Sequence, residues 1–387
     1  MKFAIVCVTY NRKDSLHRLL QSLDAVYYDE DVTLIISIDK SDTDIVEKFA
    51  DSYVWTHGEK RIAKHEKNLG LRAHILSLGR YFDEFDALVV LEDDITVATS
   101  FYIYAKQCVE KYASDHRIAG ISLYNFAVNY QNFLPFTPAK SQYDVYLMNC
   151  AMSWGQVWMK QQWEAFYNWY TAQTDDCSAA HLPHVLSQWS KSSWLKYHTR
   201  YCIEEDKFFV YPYFSLATTN TDIGEHSNQM DTLYQSTLQV TLQTNYLLPT
   251  FEEAEIRYDG FFQPRFLASH LGLSEEDLCV DVFSEKPSSL YRRYVLSNRL
   301  LPYAVKQSFA LQLRPFEMNI IYHLPGNELW LYDTSVSAQP PKGSDRYLAF
   351  YYLFYKAFYK IHVIIGFKRS MSLLTEVFVN KIKKVFA

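Results

Sequence analysis

The chain has 387 residues, of which 49% are hydrophobic, 17% aromatic and 21% charged. This composition is typical of a globular protein with about two to three domains and excludes a disordered chain. The formal net charge is −6, yet residues 347–387 hold seven basic side chains and one acid, so residues 1–346 carry −12. Such an acidic body argues against a nucleic-acid partner.

The six cysteines are scattered along the chain, and no CxxC pair is present. This spacing argues against a zinc ribbon or a redox motif, and we expect free thiols in a reducing, cytoplasmic compartment. The opening sequence MKFAIVCVTYNRKD becomes charged too early for a signal peptide. Because the sequence has no run of 18 uninterrupted apolar residues, we expect no ordinary membrane-spanning helix.

Apolar runs and helical periodicities alternate along the first 123 residues. Strands are predicted at 2–9, 32–38, 53–55, 87–91 and 118–123, and helices at 16–23, 42–49, within 71–80 and at 101–112. Asn11 or Asp14 is expected to cap the first helix. Strands that alternate with helices predict an α/β fold with a mostly parallel sheet and helices on both faces.

The alternation stops near residue 270, and breaks follow at residues 300–303 and 339–343. We therefore expect an α/β domain over 1–270, a helical or irregular accessory region over 271–346 and a basic tail over 347–387. Aromatic residues stand beside lysines in the tail, which suits peripheral contact with a membrane surface. A core helix or an oligomer contact is the alternative.

Residues 87–96 read ALVVLEDDIT and carry the strongest indication of function. Five apolar residues fit a strand buried on both faces, and Glu92, Asp93 and Asp94 follow at its end. Adjacent carboxylates repel one another, and a divalent cation usually offsets that repulsion. Ligands of open α/β sheets bind at the carboxyl ends of strands, where these acids fall. A solvated acidic turn is the alternative.

Several catalytic and nucleotide-binding signatures are absent from the sequence. The 11 glycines include no GxG pair, which excludes a dinucleotide fingerprint and a kinase-type glycine loop. The phosphate-binding pattern GxxxxGK[ST], the esterase pattern GxSxG and the zinc-protease pattern HExxH do not occur either. A nucleotide would therefore have to be held by other residues after the first strand.

Four motifs fall in order at one edge of the predicted sheet: VTYNR at 8–12, ID at 38–39, NLGL at 68–71 and LEDD at 91–94. Together they closely resemble glycosyltransferases of the GT-A (Rossmann-like) fold. The first half is similar to the large family-2 group, whereas the Glu-Asp-Asp triplet resembles N-acetylglucosaminyltransferases that modify N-glycan cores. Residues 214–216 and 224–226 resemble bacterial capsule and exopolysaccharide enzymes. The resemblance covers roughly residues 1–230.

This resemblance implies a donor site built from all four motifs. The expected nucleotide-sugar contacts are Thr9, Tyr10, Asn11, Asp39, Asn68, Arg72, Glu92 and Asp93. It also implies a Mn²⁺ or Mg²⁺ ion on Asp94, with His226 as a second ligand, and an acceptor-side loop at Trp154 and Gly155. A turn-forming role for Asp39 and solvation for Arg72 are the alternatives. In an extended segment, Asp93 would point away from the other two acids.

The general base is the point at which the sequence departs from the family. An Asp-Asp-Trp stretch supplies this base in the N-acetylglucosaminyltransferase pattern, whereas the nearest counterpart here is Ser192-Ser193-Trp194, which has no carboxylate. Nearby candidates are Asp175, Asp176, Glu204, Glu205 and Asp206.

The resemblance implies an inverting, metal-dependent transfer from a UDP-sugar to a polysaccharide or lipid-linked oligosaccharide. The enzyme would be cytoplasmic and peripheral on the inner face of the membrane. A sugar-phosphate nucleotidyltransferase and a non-catalytic protein that binds sugar nucleotides are the alternative functions.

Overall fold

The computed structural model describes residues 1–174, 176–179, 181–222 and 233–342, together with 366–372, 374, 375 and 379. The chain divides into two compact units. The first contains Met1–Ala127 and Lys140–Gly260, and the second contains Val128–Ala139 and Phe261–Ala387. The division therefore falls earlier than the expected boundary at residue 270. Most of the predicted tail, over 347–387, lies outside the described residues.

The first unit is built on a nine-stranded sheet with the order β11-β7-β9-β6-β8-β4-β1-β2-β3. The strands of this unit are β1 (Phe3–Thr9), β2 (Thr33–Ile38), β3 (Lys60–Lys64), β4 (Ala87–Glu92), β5 (Ile95–Val97), β6 (Ile118–Ser122), β7 (Val145–Met148), β8 (Gln156–Met159), β9 (Phe208–Pro212), β10 (Ala217–Thr219) and β11 (Arg257–Tyr258). Five of the eight strand pairs in the large sheet are parallel, and β8 is antiparallel to both of its neighbours. The predicted α/β class with a mostly parallel sheet is confirmed.

Helices cover both faces of this sheet. They are α1 (Lys13–Asp24), α2 (Ile45–Ser52), α3 (Leu71–Ser77), α4 (Phe101–Tyr112), α5 (Lys160–Thr171), α6 (His184–Gln188) and α7 (Leu195–Glu204), with a 3-10 helix at Leu78–Asp83. The leucines of α1 recur at helical spacing and are fully buried in one core with alternate residues of β1 and β4. On the opposite face, Trp158 of β8 stacks on Trp163 of α5, with ring centroids 4.1 Å apart.

Three local expectations for the first unit were wrong. The third strand is Lys60–Lys64 rather than 53–55. Tyr53 instead closes α2 through its N–H, and Trp55 is buried because its indole N–H donates to the Val32 carbonyl at 2.9 Å. The cap of α1 is Arg12, without a side-chain cap bond, and α2 begins at Ile45 rather than at residue 42. A short antiparallel pair, β5 with β10, was not foreseen.

The second unit contains a four-stranded sheet with the order β12-β13-β15-β14. Its elements are α8 (Leu267–His270), β12 (Leu278–Asp281), β13 (Tyr294–Ser297), β14 (Tyr303–Phe309), α9 (Met318–Ile321) and β15 (Leu329–Ser337). This sheet corrects the expectation of a helical or irregular region. The strands were missed because two of them, β12 and β13, are only four residues long and leave a weak alternating pattern in the sequence. No helix in the described ranges is both long and apolar enough to cross a bilayer.

Candidate functional site

Parallel pairing brings the ends of three strands, β1, β2 and β4, to one edge of the large sheet. Thr9 stands in register with Ile38, and Val8 with Glu92. The Thr9 hydroxyl donates to the carboxylate of Asp93 at 2.7 Å. The structure therefore places the first motif, the end of β2 and the acid triplet beside one another, as the order of the motifs in the sequence implies.

The acid triplet is divided between two environments. Asp93 and Asp94 lie in the turn between β4 and β5, not in an extended segment, and the Arg12 guanidinium contacts both carboxylates. Asp93 is 3% exposed, and burial raises its pKa to about 6, although Arg12 and the Thr9 hydroxyl lower it. The expectation that Asp93 alone would point away from Asp94 was therefore wrong, because the turn lets one arginine reach both acids.

Glu92 lies apart from this ion pair. Its carboxyl group is half-buried. Burial, followed by the charges of Asp94 and Asp93, raises the pKa of Glu92 above its ordinary value, whereas Arg12 and the side chain of Trp194, the residue before α7, lower it. The triplet thus offers three acids with three different sets of neighbours.

Asp39 is buried and organises the loop before α3. Its carboxylate accepts the backbone N–H groups of Lys40 and Leu69 at 2.9 Å and of Gly70 at 3.0 Å. The Asn68 side-chain amide donates to the Lys40 carbonyl at 3.1 Å, which ties the same loop to the end of β2. The turn-forming role is therefore observed, and it leaves the nucleobase contact of Asp39 as a proposal.

An open cleft of about 890 Å³ lies beside this loop, lined by residues 40–45 and by Asn68. Tyr10 is half-buried and Asn11 is exposed, so both side chains of the first motif have surface available for contact with a ligand. The cleft and these two residues flank the ends of β1 and β2.

Arg72, in the first turn of α3, contacts α7. Its guanidinium donates to the Tyr197 hydroxyl at 2.9 Å and lies over the ring of the same tyrosine, 5.2 Å from its centroid. Arg72 is thus a held side chain rather than a freely solvated one. Tyr197 was not singled out from the sequence as a donor-site residue. Its partner Arg72 stands 125 positions away in the sequence, and no local pattern shows such a contact.

The predicted acceptor-side loop reaches the same edge. Trp154 is half-buried, and its ring lies 4.9 Å from that of Tyr124 and 5.3 Å from that of Tyr234. Gly155 has a φ of +87°, and a side chain there would meet the Cβ of Ala217 at 2.9 Å. The loop therefore needs glycine at this position.

The described candidates for the general base lie near the carboxyl end of α7, whereas Trp194 precedes its amino end. Glu204 accepts a bond from Arg200 at 2.8 Å, and the Arg200 guanidinium also donates to the carbonyl of Asp176 at 2.8 Å. Glu205 and Asp206 follow directly and lead into the amino end of β9. Ten helical residues span about 15 Å, so these acids are separated from Trp194 by the length of the helix. Asp175 and His226 lie outside the described residues.

The fit of a divalent cation rests on Asp94. Within the described ranges, no three histidine, cysteine or acidic side chains gather into a metal-binding group. Arg12 engages Oδ2 of Asp94, whose side chain is 24% exposed. Its Oδ1 atom accepts no hydrogen bond from the part of the chain that the structure describes, and it is free to bind a cation. One carboxylate oxygen suits an ion whose other ligands are phosphate oxygens and water.

Comparison with known proteins gives structural matches only. No protein-family model and no curated protein matches the chain. Residues 1–349 of S. aureus TarS match at 12% identity and a TM-score of 0.38, covering 57% of this chain and 61% of that one. The mannosyltransferase PcManGT from Pyrobaculum calidifontis, in complex with GDP-Man and Mn²⁺, matches at 11% identity and a TM-score of 0.32, covering 42% of this chain and 46% of that one. GalNAc-T7 with UDP, GalNAc and Mn²⁺ matches at 15% identity and a TM-score of 0.38, covering 55% of this chain and 42% of that one. The chain spans less than two thirds of each of these proteins.

Proposed function

We propose that this chain is a glycosyltransferase of the GT-A type. It moves a sugar from a UDP-sugar to a polysaccharide or lipid-linked oligosaccharide acceptor by inverting displacement. One observation carries the proposal: four motifs separated along 87 residues, from Val8 to Asp94, meet at the carboxyl ends of β1, β2 and β4. Open α/β sheets bind ligands at that edge.

The donor nucleotide lies across this edge in the proposal. The base occupies the cleft beside Asp39 and Asn68, with Tyr10 and Asn11 on its other side. Thr9, Glu92 and Asp93 face the ribose, and Arg72 supplies a positive charge for the diphosphate. The Asp39 carboxylate, which already holds the loop, needs one further lone pair to accept N3–H of uracil, and a carboxylate has about four acceptor sites.

Asp94, with His226 as a second ligand, holds Mn²⁺ or Mg²⁺ in this proposal. The cation supplies charge neutralisation for the departing nucleoside diphosphate. Arg12 pairs with Asp93 and one oxygen of Asp94, so the protein itself balances part of the charge of the acid triplet. Because Arg12 uses a single Asp94 oxygen, the ion pair and the cation do not compete for the same atom.

Trp154 forms the acceptor side of the site, where its indole face suits the apolar face of a sugar ring. In this proposal the general base is assigned to none of Asp176, Glu204, Glu205 and Asp206, because these acids collect at the distal end of α7. That placement also favours one second candidate function, a non-catalytic protein that binds sugar nucleotides. A nucleotidyltransferase receives no such support, since the first βα turn lacks a glycine-rich loop.

Ligand screening followed by a turnover assay tests the proposal. Thermal unfolding is followed with UDP-, GDP-, CMP- and dTDP-sugars, each with Mn²⁺ and with EDTA. We expect the largest rise in melting temperature with a UDP-sugar and Mn²⁺. The best donor is then incubated with lipid-linked and soluble glycans while UDP release is measured. Binding without release on any acceptor would favour the non-catalytic candidate, and no shift with any nucleotide sugar would overturn both.

A further inference from the structure

A residue in the first turn of α7 reaches the proposed donor site. The Tyr197 hydroxyl accepts a 2.9 Å bond from Arg72 on α3, whose guanidinium also lies over the tyrosine ring, 5.2 Å from its centroid. One tyrosine therefore contacts the Arg72 guanidinium both through its hydroxyl and through its ring.

The ring of Tyr197 is fixed by its packing. Tyr197 is 1% exposed and meets the ring of Tyr170 edge-on at 5.4 Å. A ring held in this way cannot change rotamer freely, so its hydroxyl group stays at a constant position. An arginine bonded to that hydroxyl loses much of its rotamer freedom before any ligand arrives.

We propose that Tyr197 is a positioning residue, which holds the Arg72 guanidinium ready for the donor nucleotide sugar. The inference rests on the proposed function and deepens it. Ordering a long charged side chain on binding costs affinity, and a side chain ordered beforehand avoids that cost.

One substitution removes the polar group and keeps the aromatic ring. Tyr197→Phe is compared with wild type for UDP and UDP-sugar affinity by calorimetry, well below the melting temperature. We expect the variant to bind about 10- to 150-fold more weakly, the range for one lost hydrogen bond to a charged group. Tyr201→Phe is the matched control, because its ring is buried on the same helix away from Arg72.

A double-mutant cycle separates positioning from general stability. If Tyr197 acts through Arg72, Tyr197→Phe costs no further affinity in an Arg72→Ala background. Wild-type-like binding by Tyr197→Phe, or equal losses in the wild-type and Arg72→Ala backgrounds, would overturn the inference while leaving the proposed function intact. A wild-type protein that binds no nucleotide sugar overturns the proposed function and the inference together.

Discussion

The backbone N–H of Gly70 donates to the carboxylate of Asp39 at 3.0 Å, joining positions 31 residues apart in the sequence. This bond and those from Leu69 make the end of β2 and the loop before α3 a single structural unit. The acid that the resemblance assigns to the nucleobase therefore also shapes the cleft in which the base would lie. Its loss is expected to affect stability and binding together.

Replacing Asp39 by asparagine tests this dual role. An amide keeps one acceptor oxygen and replaces the other with a donor, so at least one of the loop N–H groups loses its partner. We expect the free energy of unfolding to fall by about 1–3 kcal/mol and UDP to bind at least tenfold more weakly. Denaturant unfolding and calorimetry measure the two effects.

Asp42→Asn is the matched control, because Asp42 is an exposed acid that lines the same cleft. It removes the same charge without removing a loop partner. If the Asp39 variant lost stability but bound UDP like the wild type, Asp39 would be a turn acid alone.

The sequence predicts best where one local pattern decides the structure. The helix expected at 101–112 has those bounds, and the leucines of α1 are buried as their spacing requires. The apolar run at 87–91 is a fully buried strand because a strand covered on both faces has no polar alternation. The motifs that follow β1, β2 and β4 could be placed at one edge for the same reason, since each follows a recognisable strand.

Contacts between distant residues could not be predicted in this way. Trp55 lies in a stretch with the apolar pattern of a strand. It is buried instead next to the start of β2, where its indole N–H donates to the Val32 carbonyl. Arg12 could not be assigned to Asp93 and Asp94 from the sequence, because nothing local shows which of many acids an arginine meets. Short strands such as β12 and β13 depend on their partners for stability, so their sequences carry little signal.

Arg12 is expected to stabilise the fold by neutralising the acid triplet. Arg12→Leu leaves Asp93 buried beside Asp94 without its cation, which should lower the free energy of unfolding by about 1–3 kcal/mol. Because a divalent cation can take over that neutralisation, Mn²⁺ should raise the melting temperature of the variant more than that of the wild type. Calorimetric scans with and without Mn²⁺ measure this difference. An equal rise in both proteins would argue against a cation at the triplet.

Asp94 is expected to make UDP binding depend on a metal ion. The wild type should bind UDP far more weakly in EDTA than in Mn²⁺, and Asp94→Asn should remove most of that difference by weakening the cation's protein ligand. Asp14→Asn is the control, since Asp14 is an acid of α1 whose side chain is 86% exposed. Calorimetry at matched ionic strength gives the two UDP affinities, in EDTA and in Mn²⁺, for each protein. Equal UDP affinity of the wild type in EDTA and in Mn²⁺ would exclude a metal bridge.

The stability of the first unit should fall in mild acid because of His74. This residue is 2% exposed, its Nε2 atom lies 2.7 Å from the Ser37 hydroxyl, and its ring meets that of His65. Burial, followed by the charge of His65, lowers the pKa of His74 from 6.5 to about 4. Between pH 6.5 and pH 4, the unfolded chain therefore binds a proton at His74, whereas the folded chain does not. The contribution of neutral His74 to the free energy of unfolding is complete above pH 6.5 and is lost progressively as the pH falls towards 4.

His74→Gln should flatten that pH dependence. Glutamine retains a polar atom for Ser37 but takes up no proton, so the variant should lose up to about 3 kcal/mol less than the wild type between pH 7 and pH 4. Urea unfolding at several pH values measures the slope, with His116→Gln as the control because His116 is exposed. A variant with the wild-type slope would show that other groups cause the acid sensitivity.

The basic tail is expected to bind anionic membranes independently of the donor site. Its residues, 347–387, carry +6 and many aromatic side chains, and each lysine or arginine near an anionic leaflet contributes about 1 kcal/mol. Full-length protein should sediment with vesicles that contain phosphatidylserine, less so at high salt, and not with neutral vesicles. A chain ending at Ser344 should remain in the supernatant and still bind UDP, because the described donor-site residues belong to the first unit.

Replacing Lys381, Lys383 and Lys384 by glutamine should weaken sedimentation without changing the affinity for UDP. Full-length protein that ignores anionic vesicles, or a truncated chain that cannot fold, would favour a core or oligomer role for the tail.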